Sequence, residues 1–233
     1  MKGDDALEEI YLGENLKIIG CDAFRSCSSL RRVDFPPSLL TIGSGAFRSC
    51  DRLRRIQMPS GVVELGSRAF CACSHLIEVH LSANLLTIGE AAFVDCQALE
   101  SLAIPNLVES IGARAFMGCR SLHSLYVPST CTKFGNPGDD KLFDISTNLV
   151  IYTPKDSPAW NYAQAHNLCC CEASEENWQE LAAQRKVKQT QGNSKDSNQE
   201  TDSTADKEKE AECLDKKAKY LKRMTARKKG RKH

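Results

Sequence analysis

The chain has 233 residues, 41% of them hydrophobic and 26% charged, with 31 Lys+Arg against 30 Asp+Glu. That near-neutral balance excludes partner selection by global charge, and no run approaches the roughly 18 to 20 apolar residues a membrane-spanning helix needs. The N-terminus, Met1 to Glu9, is too acidic and too poor in apolar residues for a signal peptide, so the location expected is the cytoplasm or the nucleus. The neutral total conceals a split: residues 1–173 carry a net −4 and residues 174–233 a net +5, with ten of the basic side chains between Lys216 and Lys232.

The chain opens on Leu7, Ile10, Leu12 and Gly13, which occupy the positions of Leu30, Val33, Phe35 and Pro36 further on, so it starts with half of a repeated unit. The unit then recurs. Phe24, Phe47, Phe70, Phe93 and Phe116 stand 23 residues apart, each preceded by Ala and followed three residues later by Cys27, Cys50, Cys73, Cys96 and Cys119. Leu30, Leu53, Leu76, Leu99 and Leu122 follow in the same register, and then two apolar positions separated by one, such as Val33 and Phe35 or Ile56 and Met58. Pro comes next in four of the five copies, with Ser82 the exception, and each unit closes on Gly20, Gly43, Gly66, Gly89 or Gly112.

The apolar pair separated by one residue has the period of 2 of a strand with one buried face, which turns Arg32 and Asp34 outward while Val33 and Phe35 point in. Pro ends that strand, and a second short extended piece (39–42, 62–65, 85–88, 108–111) runs into a Gly that permits a sharp turn. Ala-Phe-x-x-Cys-x-x-Leu has the spacing of one or two helical turns. One unit cannot close a core alone, but stacked copies bury a continuous ladder of Phe, Leu, Ile and Val, which makes the array a solenoid.

Taken together, Leu-x-x-Ile-x-Leu-Pro-x-x-Leu-x-x-Ile-Gly-x-x-Ala-Phe-x-x-Cys resembles the BspA-like (Treponema-type) leucine-rich repeat over about residues 7 to 135, plus a degenerate last coil. The resemblance implies an α/β solenoid, a right-handed coil of short strands and short helical turns. It also implies protein binding and adhesion-like roles, although surface adhesion fits poorly with the absence of a secretion signal.

Phe134 and Gly135 keep register before Asn136-Pro-Gly-Asp-Asp breaks it; residues 148–154 then read as a final strand. Residues 157–166 read as a capping helix with Ser157 as N-cap and Pro158 at the first helical position. The start carries no such cap, leaving a bare edge that invites end-to-end self-association. The expected organisation is therefore a repeat domain over 1–172, a mostly disordered polar linker over 173–206 and a basic, partly helical tail over 207–233. Residues 174–188 could form an amphipathic helix through Trp178.

The repeated cysteines read as an inward ladder of reduced thiols satisfying turn backbone groups. Cys71, Cys73 and His75 form Cys-x-Cys-x-His, yet Cys73 belongs to the ladder, so the motif falls short of the four ligands a structural zinc needs. Cys169, Cys170 and Cys171, following the capping helix, are the best candidates for reactive thiols open to lipidation or oxidation, with partial burial under the last coil the equal alternative. His75, His80, His123 and His166 are scattered, and there is neither a Gly-x-Ser-x-Gly turn nor a phosphate loop, so no cofactor and no enzyme is expected.

A protein partner is expected on the outward strand rows, through Arg32, Asp34, Arg55, Gln57, Glu78, His80 and Tyr126. Arg25, Arg31 and Arg32 recur as Arg48, Arg54 and Arg55, with Arg52 and Arg68 nearby. Stacked about 4.8 Å apart they repel unless an acidic partner sits over them or Asp22, Asp34 and Asp51 neutralise them. In the tail, Lys216, Lys217, Lys219, Lys222, Arg223, Arg227, Lys228, Lys229, Arg231 and Lys232 suit nuclear import, RNA phosphate contact or an anionic membrane surface. Composition does not choose among these, nor between them and a solubilising extension. The reading is a non-catalytic protein-interaction scaffold; the alternative is a nuclear or ribosome-associated factor whose tail binds nucleic acid.

Overall fold

In the computed structural model, residues 3–136, 141–143, 149–174, 176–178 and 180 are described. The expected linker beyond residue 180 and the basic tail lie outside them. Each of the first six coils contributes one three-residue strand and one two-residue strand, and the last contributes a four-residue strand. The longer strands are β1 (Glu9–Tyr11), β3 (Arg32–Asp34), β5 (Arg55–Gln57), β7 (Glu78–His80), β9 (Ser101–Ala103), β11 (Ser124–Tyr126) and β13 (Val150–Thr153). The shorter ones are β2 (Ile18–Ile19), β4 (Thr41–Ile42), β6 (Glu64–Leu65), β8 (Thr87–Ile88), β10 (Ser110–Ile111) and β12 (Lys133–Phe134). A helix α1 (Pro158–Ala165) and a last strand β14 (Cys169–Glu172) complete the array. All strand pairs are parallel, and between consecutive repeats of the regular array their register is the 23-residue period, as in Ile56↔Val79 and Leu65↔Ile88.

The segment expected as helical turns is instead a chain of tight turns. Two residues in every coil take left-handed backbone: the first set is Asp22, Gly45, Arg68, Ala91 and Arg114, the second Ser26, Ser49, Ala72, Asp95 and Gly118. Left-handed backbone costs a non-glycine residue about 1 to 2 kcal/mol and stops an α-helix. In return it turns the N–H toward the next coil. Asp22 donates to the Ser44 carbonyl at 2.8 Å, Ser26 to Arg48 at 2.7 Å, Arg68 to Glu90 at 2.8 Å and Ala72 to Val94 at 2.7 Å. The closing glycines also differ from expectation: Gly43, Gly66, Gly89 and Gly112 do not need positive φ, but a Cβ on any of them would collide with the backbone of the preceding coil.

Between the sheets lies the ladder. Phe24, Phe47, Phe70, Phe93 and Phe116 stack nearly parallel with centroids 5.3 to 5.8 Å apart. A sixth ring, Phe143, continues the stack at 5.6 Å, although the local insertion places it outside the 23-residue spacing. Beside the rings, the thiols of Cys50, Cys73, Cys96 and Cys119 donate to the carbonyls of Phe24, Phe47, Phe70 and Phe93 at 3.1 to 3.2 Å. Burial pushes the Cys50 thiol up to about 12, and Cys73 and Cys96 well above the ordinary thiol value. These three thiols are therefore protonated and able to donate.

The far end is capped as the sequence indicates: Ser157 Oγ accepts from Trp160 N at 3.1 Å, and Ala159 and Ala163 of α1 are buried on the core. Cys169 to Cys171 follow the helix as an extended segment paired to the last coil. They form β14 in register with Val150 to Tyr152, leaving Cys169 buried and the other two half-buried. The packed region also runs past residue 172. Ser174 and Asn177 bond each other reciprocally at a helix start, and Trp178 packs on Tyr126 and Tyr152 with centroids 5.8 and 5.4 Å away. At the other end β1 and β2 are the end strands of their sheets among the described residues, and Ile10, Ile19 and Phe24 are buried, with Leu7, Leu12 and Leu16 packed around the core.

Two outcomes follow from this core. Phe70→Ala, in the middle of the stack, removes a ring between two others and is expected to destabilise by about 3 to 5 kcal/mol in denaturant unfolding. A loss under about 1 kcal/mol would contradict the stacked ladder. The raised thiols make stability pH-dependent: an unfolded cysteine ionises near 8.5, so the contribution is complete below that pH and declines as pH rises toward 12. Native protein at about pH 9.5 is expected to show no thiolate absorbance from Cys50, Cys73 or Cys96 until denaturant unfolds it. Their modification by a thiol reagent without unfolding would contradict their placement.

Candidate interaction face

Alternation along the longer strands sends the middle residue inward and its neighbours outward, so two rows of side chains face away from the core. One row reads Glu9, Arg32, Arg55, Glu78, Ser101, Ser124, Val150 and Cys169; the other reads Tyr11, Asp34, Gln57, His80, Ala103, Tyr126, Tyr152 and Cys171. The structure brings Arg32, Asp34, Arg55, Gln57, Glu78 and His80 together on β3, β5 and β7. Their exposure varies in a single respect, since Glu78 is half-buried and the other five are open to solvent.

Tyr126 departs from this group. It lies in the expected row but is 4% exposed, because Trp178 stacks on it and Ala173 closes the side. Trp178 also buries Val150, Tyr152 and Cys169 in the same outer cluster, so the open face ends near β9. The sequence signal for this cover was aromatic residues at the last two strand positions, Tyr126 and Tyr152, followed by a lone Trp after the array.

On the open part the charges are paired locally. Arg32 reaches Asp34 on its own strand at 3.1 Å, and Asp34 holds its guanidinium above the ordinary value. Arg55 turns the other way, to Glu78 of the next coil at 3.3 Å, and Glu78 also holds His80 Nε2 at 2.6 Å. The two arginines thus avoid each other by choosing different carboxylates. Tyr11 bonds Glu9 at 2.8 Å, which raises its hydroxyl above the ordinary value. Arg25 pairs with Asp22 at 3.7 Å and Arg31 with Glu8 at 3.8 Å, whereas Arg48, Arg52, Arg54 and Arg68 form no ion pair among the described residues. Exposed pairs of this kind are worth about 0.2 to 1 kcal/mol, so a partner can exchange them at little cost.

The remaining motifs do not converge on a site. Cys73 spends its thiol on the Phe47 carbonyl, Cys71 is buried, and His75 Nδ1 lies 2.8 Å from the Asp51 carbonyl, so the Cys-x-Cys-x-His residues point to different partners. No group of three metal-ligating side chains occurs among the described residues. The ten basic tail residues lie outside them.

Comparison with solved structures agrees with this geometry. A leucine-rich-repeat protein of Treponema pallidum matches with 23% identity and a TM-score of 0.52, over 71% of this chain and 86% of that one. A leucine-rich cell surface protein of Faecalibacterium prausnitzii matches with 24% identity and a TM-score of 0.51, over 68% of this chain and 50% of its own, so the chain spans about half the length of that protein. At these identities the likeness is one of fold. No functionally curated protein matches the chain. The sequence profile of the BspA type leucine rich repeat region matches six copies over residues 2–123, more than half the chain, and with the stacked coils just described it establishes that the chain belongs to the BspA-type leucine-rich-repeat family.

Proposed function

We propose that this protein is a non-catalytic scaffold that recognises a protein partner through the open strand face of β3, β5 and β7. The observation that carries the reading is the row arrangement itself. Arg32, Asp34, Arg55, Gln57, Glu78 and His80 stand on parallel strands at about 4.8 Å steps, above a continuous buried core, and only weak lateral ion pairs occupy them. The unpaired Arg48, Arg52 and Arg54 on the same coils favour a partner with acidic side chains. Bidentate guanidinium–carboxylate contacts would then replace solvent-exposed pairs inside a drier interface.

The tail supports a second role. Ten cations between Lys216 and Lys232 suit a phosphate backbone, and the net −4 of residues 1–173 makes the repeat region the poorer polyanion site. In this reading the repeats recruit a protein and the tail directs the chain to the nucleus or to RNA. The compartment in this reading rests on that tail, and no helix among the described residues is long and apolar enough to cross a membrane.

Paired charge variants of the full chain separate the two roles. Arg32→Glu with Arg55→Glu is expected to abolish retention of proteins captured by the wild-type chain, with circular dichroism, RNA retention and cellular location unchanged. Neutralising Lys228, Lys229, Arg231 and Lys232 is expected to lower salt-sensitive retention of single-stranded RNA and nuclear accumulation while protein capture persists. Unchanged capture by the first variant would overturn the strand-face reading. Unchanged location and RNA retention in the second would reduce the tail to a solubilising extension.

A further inference from the structure

The second sheet carries a surface of different character. Leu40 N donates to the Lys17 carbonyl at 2.8 Å, Val63 to Leu40 at 3.0 Å, Leu86 to Val63 at 3.0 Å and Glu109 to Leu86 at 2.9 Å. These bonds fix Lys17, Leu40, Val63, Leu86 and Glu109 as one straight row at steps of about 4.8 Å. Leu40, Val63 and Leu86 are 42%, 39% and 43% exposed, where an apolar side chain gains nothing from solvent. Ile18 and Leu107, more exposed still, adjoin the two ends of the row. Five of the seven large apolar side chains exposed among the described residues therefore gather on or beside it. Lys17 and Glu109 are exposed and form no ion pair among the described residues.

The order of this row is the informative feature. It reads cation, three apolar residues, anion, and so it is complementary to itself when reversed. A second copy laid antiparallel about a two-fold axis at Val63 sets Lys17 against the partner's Glu109, Leu40 against the partner's Leu86, and Val63 against the partner's Val63. Laid parallel, the same rows would oppose lysine to lysine and glutamate to glutamate. We propose that this row is a homodimer face, and that its occupant is a second, antiparallel copy of this chain.

Such an interface is isologous and closes at two copies. It is also narrow, and faces burying less than about 1,200 Å² belong to the transient class, so the dimer forms reversibly at about 100 µM chain. Glu64, exposed beside Val63, is the group that meets its own copy near the axis and limits the affinity. The recognition rows belong to the other sheet, so both copies keep them open and the dimer presents them twice.

Sedimentation equilibrium of the full chain, from about 5 to 500 µM, tests the proposal. The expected result is a monomer–dimer equilibrium. Val63→Asp is expected to abolish it and Glu109→Lys to weaken it about tenfold, since two attractions become two repulsions. Combining Lys17→Glu with Glu109→Lys is expected to restore the wild-type affinity to within about threefold, because the reversed charges again oppose each other. Glu64→Gln is expected to tighten it. Monomer throughout the range, or a swap that fails to restore affinity, would overturn the proposal. Open-ended growth insensitive to Val63→Asp would overturn it as well, by assigning association to the β1 and β2 edges. Circular dichroism checks each variant's fold.

Discussion

Adjacent coils approach until backbone meets backbone at one column, and that close approach sets the terms for everything else. A Cβ on Gly43 would lie 2.8 Å from the Gly20 carbonyl carbon, and one on Gly66 or Gly89 would lie 2.5 Å from backbone atoms of the preceding coil. The same approach lets Gly43, Gly66, Gly89 and Gly112 donate to Ile19, Ile42, Leu65 and Ile88 at 2.8 to 2.9 Å. With the pitch fixed at the spacing of paired strands, every side chain stands above its own repeat. Each column must then be compatible with itself. Phenylalanine meets this by offset stacking. Cysteine meets it because a neutral thiol donates to a carbonyl one coil back and leaves no charge in the column. Arginine does not meet it, and Arg32 and Arg55 diverge to separate carboxylates.

Most of this was legible in the sequence, because a fixed period of 23 residues exposes each column by simple alignment. The inward thiols, the strand alternation and the Ser157 cap of α1 required only spacing and residue chemistry. The turns look helical in the sequence, since Ala-Phe-x-x-Cys has helical spacing and only Gly45 and Gly118, among the two sets of five left-handed positions in these turns, advertise their φ. Asp22, Arg68 and Ala91 accept it because their amides gain hydrogen bonds to the next coil, a tertiary cause that no local pattern records. Phe143 was missed because an insertion moved it out of period. Tyr126 was assigned to the open face because alternation reports direction, whereas its cover, Trp178, lies 52 residues further along the chain.

The resulting molecule divides its labour by column. Inward columns are nearly invariant from coil to coil, while outward ones vary. The strand face is polar and paired weakly over β3 to β7, then shut by Trp178 toward the C-terminal end; the opposite sheet is apolar along Leu40, Val63 and Leu86. An exposed charged strand face, and a separate apolar row on the opposite sheet, follow from one pitch and two outward surfaces.

That pitch is open to direct measurement by comparing two alanine substitutions with the same chemistry and different neighbours. Gly89 faces the backbone of the coil before it, whereas Gly20, in the first coil, has nothing within 4 Å of a built Cβ. In denaturant unfolding, Gly89→Ala is expected to lose about 2 kcal/mol or more through overpacking, and Gly20→Ala to stay within about 0.5 kcal/mol of wild type. Equal effects at the two positions would contradict the claim that backbone contact at this column sets the spacing of the coils.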